Sequence, residues 1–338
     1  MRLPTLHRPS RSRIRSSSAL LIASLMLALL ALVSVAVGSH SVGLRALFAD
    51  DGISHGLQLL EISRLPRTIA LLLCGAALSV SGLIMQMLTQ NRFVEPATAG
   101  SMQAAALGML VIAILMPAAP LWLKMLITSF AALLGTGLFL LILNRLALHA
   151  TLIVPLVGLM LGAVISAITT FIAVHFDMLQ SLSAWTSGDF SGILRGRYEL
   201  LWVVGLVTVA AFVIADRFAV AGMGREFATN LGLNYKHTLF VGMTMVALVS
   251  GIVVAIVGVL PFLGLIVPNV VRLIRGDNVR QNIPWIAIGG AGLVLLCDLA
   301  GRLIIYPFEL PTGTLLGVIG AAVFLFILLR GQHATSKA

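Results

Sequence analysis

A few charged residues stand out in a chain that carries very little charge. Arg64 and Arg67 lie three apart in RLPR, just ahead of a long apolar run. That spacing puts both on one helical face once the helix has begun. Such a pair can rest its stems in lipid and its heads in water, or bind the acidic groups of a partner. Asp298 and Arg302 are four apart in DLAGR, again on one face. Charges inside an apolar segment are costly and normally paired. An internal Asp298–Arg302 ion pair is therefore one reading. In the other, Arg302 reaches the surface beside Arg64 and Arg67. Pro307 and Pro311 bracket Glu309 and mark a tight turn.

Other chemistries are missing from the sequence. There is no GxxxxGK[ST], so no P-loop for ATP. There is no HExxH, no Ser/His/Asp set and no pair of intramembrane carboxylates, and the seven histidines are scattered without metal-ligand spacing. Cys74 and Cys297 sit in apolar runs and read as packing residues. No enzymatic activity and no bound metal or cofactor is expected of this chain.

Two polar stretches remain. The first, DRFAVAGMGREFATNLGLN at 216–234, interrupts apolar sequence with Asp216, Arg217, Arg225, Glu226 and three glycines. Arg225, Glu226, Phe227, Ala228 and Leu231 form a short helix with Gly232 as its stop, and Gly222 and Gly224 allow a sharp turn before it. Such a helix can lie in the membrane interface or fit a groove on a soluble partner. The second, QNRFVEPATAG at 90–100, is a polar turn in which Glu95-Pro96 disfavours helix. With Gln86 just upstream, Glu95 and Pro96 are candidates for lining the inner end of a pathway; the alternative is an ordinary loop.

The elements that must position these residues follow from composition. The 338 residues are 59% hydrophobic and 10% charged, with mean hydropathy +1.07. A soluble domain is about 25% charged, so this is an all-α integral membrane protein. The apolar runs are continuous rather than alternating, which excludes a membrane barrel. At ~20 residues per crossing the length allows about ten transmembrane helices. They are placed at about 19–38, 66–88, 97–116, 121–144, 152–175, 199–216, 238–259, 263–275, 284–304 and 313–330, with the eighth short, after Pro261 and around Pro268, and read as broken or re-entrant.

The run from Ala19 to Gly38 is longer than a signal-peptide core and reads as a retained first helix. Residues 1–18 form a basic arm, 19–330 a single membrane domain and 331–338 a short tail. The net charge of +10 reflects topology rather than nucleic-acid binding. With ten crossings, Arg45, Arg64, Arg67, Lys124, Arg195, Arg197 and Arg302 face one side, leaving 22 − 7 = 15 Lys and Arg on the side of both termini. That bias puts both termini in the cytoplasm.

In order and spacing, RLPRTIALLLCGAALSVSGLIMQ, WTSGDFSG (185–192), GREFATNLGL (224–233), GVLPFLGLIVPNVVRLIRGDNVR (258–280) and DLAGRLI with ELPTG (298–313) resemble the FecCD-like permeases of ABC importers for iron-siderophore complexes and vitamin B12. The similarity runs from about residue 60 to 330. It implies a type II ABC importer permease fold and a second permease subunit, identical or paralogous. It also implies two cytoplasmic ATPase subunits, which use the ATP, and a periplasmic or lipid-anchored binding protein that delivers the substrate. It implies that Arg64, Arg67 and Arg302 meet glutamates of that binding protein. It further implies that Gly222, Gly224, Arg225, Glu226, Ala228, Leu231 and Gly232, within a coupling segment at about 217–236, sit in a cleft of the ATPase. NRFVEPATAG stands where many relatives carry an NPLA-type turn, and Pro268-Asn269 where many carry a PH pair. The first variant is similar to a subgroup for ferric catecholate-type siderophores and counts against vitamin B12. The competing readings are the same importer family carrying vitamin B12 or haem and, behind these, an ion-coupled secondary carrier, which would depend on Asp298.

Overall fold

The computed structural model describes residues 11–37, 60–145 and 153–335, all of it helices and connecting loops with no strand. Residues 1–10 of the basic arm, Arg45 and residues 336–338 of the tail lie outside the described residues. The first helix, α1 (Arg11–Ala36), begins within the expected arm. Only 6% of its apolar span is buried, so α1 is a peripheral helix.

The centre of the bundle is α2 (Leu65–Leu88), entered through a π turn at Leu60–Arg64 with Pro66 in its first turn. Pro is tolerated there because the first N–H groups of a helix have no intrahelical partner. In its span 78% of the residues are buried. Glycine allows this. A methyl group added at Gly82 would stand 2.1 Å from the carbonyl oxygen of Gly264, and one at Gly75 would stand 2.6 Å from that of Gly290. Backbones touch at these crossings, the mode small residues permit between helices in lipid. After α2 come α3 (Ser101–Leu115), α4 (Leu121–Arg145), α5 (Ile153–His175) and the short α6 (Leu179–Thr186), which pack on one another to one side of it. Next come α7 (Trp202–Val213) and α8 (Ala215–Ala221), bent 65° from one another, and the small helix α9 (Arg225–Asn230). The chain ends in α10 (Tyr235–Ile256), α11 (Leu263–Arg275), α12 (Val279–Ile304) and α13 (Thr312–Thr335).

Every expected helix has a counterpart, but not as ten full crossings. Among the described residues, six helices are long and apolar enough to cross a membrane, or seven if the bent α7–α8 pair is one span. Of the other three, α3 and α11 are short, whereas α13 runs for 24 residues. At 1.5 Å per residue, α3 and α11 reach only about 20 Å, less than the ~30 Å of a bilayer core. The short α6 and the bend into α8 were not expected.

Short α11 explains the two polar stretches beside it. Its start, after Phe262 at φ +63°, is deep in the bundle, where Leu263, Gly264 and Leu265 are all buried. The first N–H groups of a helix need acceptors, and Glu95 supplies them. One carboxylate oxygen accepts from Phe262 N at 2.7 Å and the other from Leu265 N at 3.0 Å. Pro268 then removes a donor, leaving the Gly264 carbonyl without its i+4 partner. Gln86 Nε2 donates to that carbonyl at 3.2 Å. Asn269 Nδ2 bonds the next carbonyl, Leu265 O, at 2.7 Å, and Arg92 O at 2.8 Å.

Candidate functional site

The polar chemistry gathers at the two ends of the bundle. At the end bearing RLPR and DLAGR, one carboxylate organises the arginines. Asp298, on α12, has no exposed side-chain surface. It accepts Arg67 Nη2 at 2.8 Å and Nε at 3.2 Å, pairs with Arg302 one turn on, and accepts Thr312 Oγ1 at 3.3 Å. Arg67 Nη1 also reaches Glu309 at 2.7 Å, in the turn between Pro307 and Pro311. The quartet is neutral: Arg67 and Arg302 against Asp298 and Glu309. Both Asp298 oxygens are engaged, Oδ1 by two donors of Arg67 and Oδ2 by Arg302, which is what makes a buried ion pair tolerable.

The same arginines close the end of α1. Arg302 Nη1 donates to Ser34 O at 3.0 Å and Val37 O at 2.8 Å, and Arg64 Nη1 donates to Val35 O at 3.3 Å. Ser34 and Val35 lie in the last turn of α1 and Val37 just beyond it, where carbonyls have no intrahelical donors. Cations are favoured at that end of a helix dipole. Of the three arginines expected at a docking surface, Arg302 is 5% exposed and engaged on all sides but Nε. Arg67 is largely covered, with 11% of its side chain exposed. The internal Asp298–Arg302 pair is the reading the geometry matches. Among the described residues Arg64 has one long hydrogen bond, the fewest partners of the three.

Three of the motifs quoted above meet at one junction. Gly313 N donates to Gly188 O at 2.9 Å. An added methyl at Gly188 would stand 2.4 Å from Val259 O, and one at Gly258 would stand 2.5 Å from Trp185 O. Gly188 and Gly258 have φ of +69° and +107°, which glycine adopts without penalty. WTSGDFSG, GVLP and ELPTG are thus glycine-rich because their backbones cross in contact.

At the other end, α9 projects from the bundle. Gly224, at φ +110°, turns the chain into it. Leu233 N then bonds Ala228 O at 3.0 Å and Gly232 N bonds Thr229 O at 2.9 Å, with Gly232 at φ +80°. This crossed pair of bonds is the Schellman stop that the glycine foretold. Ala228 is fully buried, whereas Arg225, Glu226, Phe227 and Leu231 are exposed. Phe227 and Leu231 are 51% and 62% exposed, an apolar patch on a rigid knob. Behind it, Gly222 packs on Met87 at the end of α2, where a methyl group would come within 2.8 Å of the sulfur. The turn before α9 is thus in contact with the central helix.

The three pathway candidates are largely enclosed by the chain itself, although Gln86 also borders a cavity at the inner end of α2. Gln86, Glu95 and Pro96 are buried within the chain, and both polar side chains serve the backbone of α11. Sequence reasoning missed this because Glu95 and Phe262 are 167 residues apart. The helix-breaking Pro268 was the local signal that some side chain must satisfy Gly264. Among the described residues, no cluster of three or more His, Cys, Asp or Glu could hold a metal, and Cys74 and Cys297 are free and buried.

The comparisons agree with this architecture. The petrobactin import system permease protein FatD of Bacillus anthracis is 44% identical over 310 residues, covering 92% of this chain and 90% of its own. The petrobactin import system permease protein YclN of Bacillus subtilis is 44% identical over 306 residues, covering 90% and 96%. An inward-facing structure of a metal-chelate type ABC transporter superposes with a TM-score of 0.77 over 93% of this chain and 99% of its own, at 22% identity, a likeness of fold. The model of the FecCD transport family matches residues 23–330, and this multi-pass inner-membrane protein belongs to that family.

Proposed function

We propose that this chain is the permease subunit of an ATP-driven ABC importer that carries ferric siderophores, catecholate types first among them, from periplasm to cytoplasm. The observation that carries the substrate class is the 44% identity, over nine-tenths of the chain, to two petrobactin import permeases. In this reading a second permease subunit completes the pathway, two ATPase subunits bind the cytoplasmic face, and a periplasmic or lipid-anchored binding protein docks outside. The iron arrives already chelated, so the permease needs no ligand set of its own.

Gly222, Gly224, Arg225, Glu226, Ala228, Leu231 and Gly232 form the ATPase contact in this reading. The support is geometric: a capped helix with exposed Phe227 and Leu231 stands on a base that packs against α2. Arg64 is the arginine best placed to receive an acidic lobe of the binding protein, while Arg67 and Arg302 hold the surface beneath it.

The test is uptake of radiolabelled ferric siderophore by cells carrying the complete system, comparing wild type with Arg225→Glu plus Leu231→Asp. Uptake should collapse, with the permease still in the membrane and the ATPase no longer co-purifying. Uptake that persists without any retained ATPase would replace the importer reading with a secondary carrier.

A further inference from the structure

Between the inner ends of α2, α8, α11 and α12 lies a cavity of about 430 Å³. Its wall includes Met87, Gly222, Arg92, Arg272, Asp277 and Arg280. Arg280 is paired with Asp216 at the rim, so those two charges cancel. The others do not. Arg272 and Arg92 share one carboxylate, Asp277, and each stands 4.0 Å from it. Asp277 itself is 73% exposed, whereas the Arg272 side chain is only 9% exposed.

The donors of Arg272 are poorly used. Its nearest acceptor is the sulfur of Met87, at 3.8 Å from Nη2. Thioether sulfur is a weak acceptor. A buried guanidinium is normally held by close oxygen partners, in two parallel bonds where possible. Here an arginine whose side chain is nine-tenths covered borders a cavity, a second arginine stands at the mouth, and the local balance is one positive charge.

We infer that this cavity is a binding site for an oxyanion of the phosphate type, held by Arg272 from within and Arg92 from the mouth. Arginine is the residue suited to such a ligand because its planar fork matches two oxygens at once. The cavity is large enough for an inorganic phosphate with its water, or for the headgroup of an anionic lipid entering from the interface. Both present the same chemistry to Arg272. An occupant would bridge α11 to the α8–α9 turn across Gly222, and so stiffen the base of the projecting helix. The inference concerns these side chains alone and stands whatever the protein carries.

The experiment uses the full chain in nanodiscs of phosphatidylcholine, following its thermal midpoint while inorganic phosphate replaces chloride at constant ionic strength. Constant ionic strength removes general screening as a cause. The midpoint should rise with phosphate and saturate. Arg92→Gln, at an exposed side chain that leaves the fold intact, should weaken half-saturation about tenfold, the worth of one charged contact. Arg272→Gln should abolish the response, and Arg272→Lys should keep only part of it. If nanodiscs containing phosphatidylglycerol raise the midpoint in an Arg272-dependent way and erase the phosphate response, the occupant is a lipid headgroup. If only added phosphate acts, it is a free anion. Equal responses to phosphate and chloride with no effect of phosphatidylglycerol overturn the inference, as does a phosphate response unchanged in Arg92→Gln. Arg272-dependent stabilisation by the ATPase subunit alone would overturn it too, by showing that a protein carboxylate fills the cavity.

Discussion

Asp298→Asn is the sharpest test of the outer quartet. The wild-type cluster balances two arginines against two carboxylates, and Asp298 is its most buried member. The amide keeps the size but removes one negative charge, and its NH2 group would face an arginine donor. Arg67 would keep Glu309, whereas Arg302 would keep only the α1 carbonyls and Ser34 Oγ. Removing one partner of a buried pair costs about 3–5 kcal/mol, because the remaining charge stays buried. For a chain of this length, roughly 2 °C of thermal midpoint corresponds to 1 kcal/mol, so the midpoint should fall by about 6–10 °C. Arg302→Gln should cost less, since Asp298 would still hold Arg67 through two hydrogen bonds. The double variant Asp298→Asn with Arg302→Gln restores neutrality and should recover at least half of the loss of the first. The assay is thermal unfolding of purified protein, with uptake normalised to folded protein. An Asp298→Asn midpoint within 1 °C of wild type would refute the buried-charge argument. So would a double variant that loses the sum of the two single losses. Unchanged stability with abolished uptake would point instead to Asp298 as a coupling group of an ion-driven carrier.

Other perturbations follow from the same geometry. Gly82→Val places carbon atoms on the Gly264 backbone, 2.1 Å from its carbonyl oxygen; membrane levels of the protein, read by immunoblot, should fall severely, while Gly192→Ala, in open space, should be silent. Gln86→Leu strands the Gly264 carbonyl that Pro268 already frees, and should lower stability by about 1–3 kcal/mol, seen as a reduced thermal midpoint. Glu95→Gln turns an amide NH2 toward the N–H of Phe262 or Leu265, and should cost a similar amount; Glu95→Gln behaving like wild type in unfolding would show that the carboxylate is not the cap of α11. Arg64→Glu should leave the midpoint within about 1 °C of wild type, since its hydrogen bond is long, yet should reduce uptake and binding-protein affinity severalfold if Arg64 is the docking residue.

What could be read from the sequence was local. Apolar runs gave the helices and the charge asymmetry their orientation. Gly224 and Gly232 flag α9 because turn and stop are encoded within a few residues. The bend between α7 and α8 has no glycine or proline at Ile214, and the run reads straight through it. The roles of Gln86, Glu95 and Arg302 depend on partners 178, 167 and 268 residues away. At such separations a polar residue beside an apolar run looks the same whether it lines a channel, meets a partner or caps a helix. Burial decides among these, and burial of α2 and α11 depends on contacts between distant glycines.

The central placement of α2 has a consequence for biogenesis. The ribosome delivers Arg67 and Gln86 some two hundred residues before α11 and α12, which supply Gly264 and Asp298. During that interval α2 must reside in the bilayer with a guanidinium and an amide lacking their final partners, at a cost that lipid cannot relieve. Truncation between α10 and α11 would freeze the chain in that state. Such a fragment should be a ready substrate for membrane quality control, and co-expression of the missing C-terminal helices in trans should rescue it.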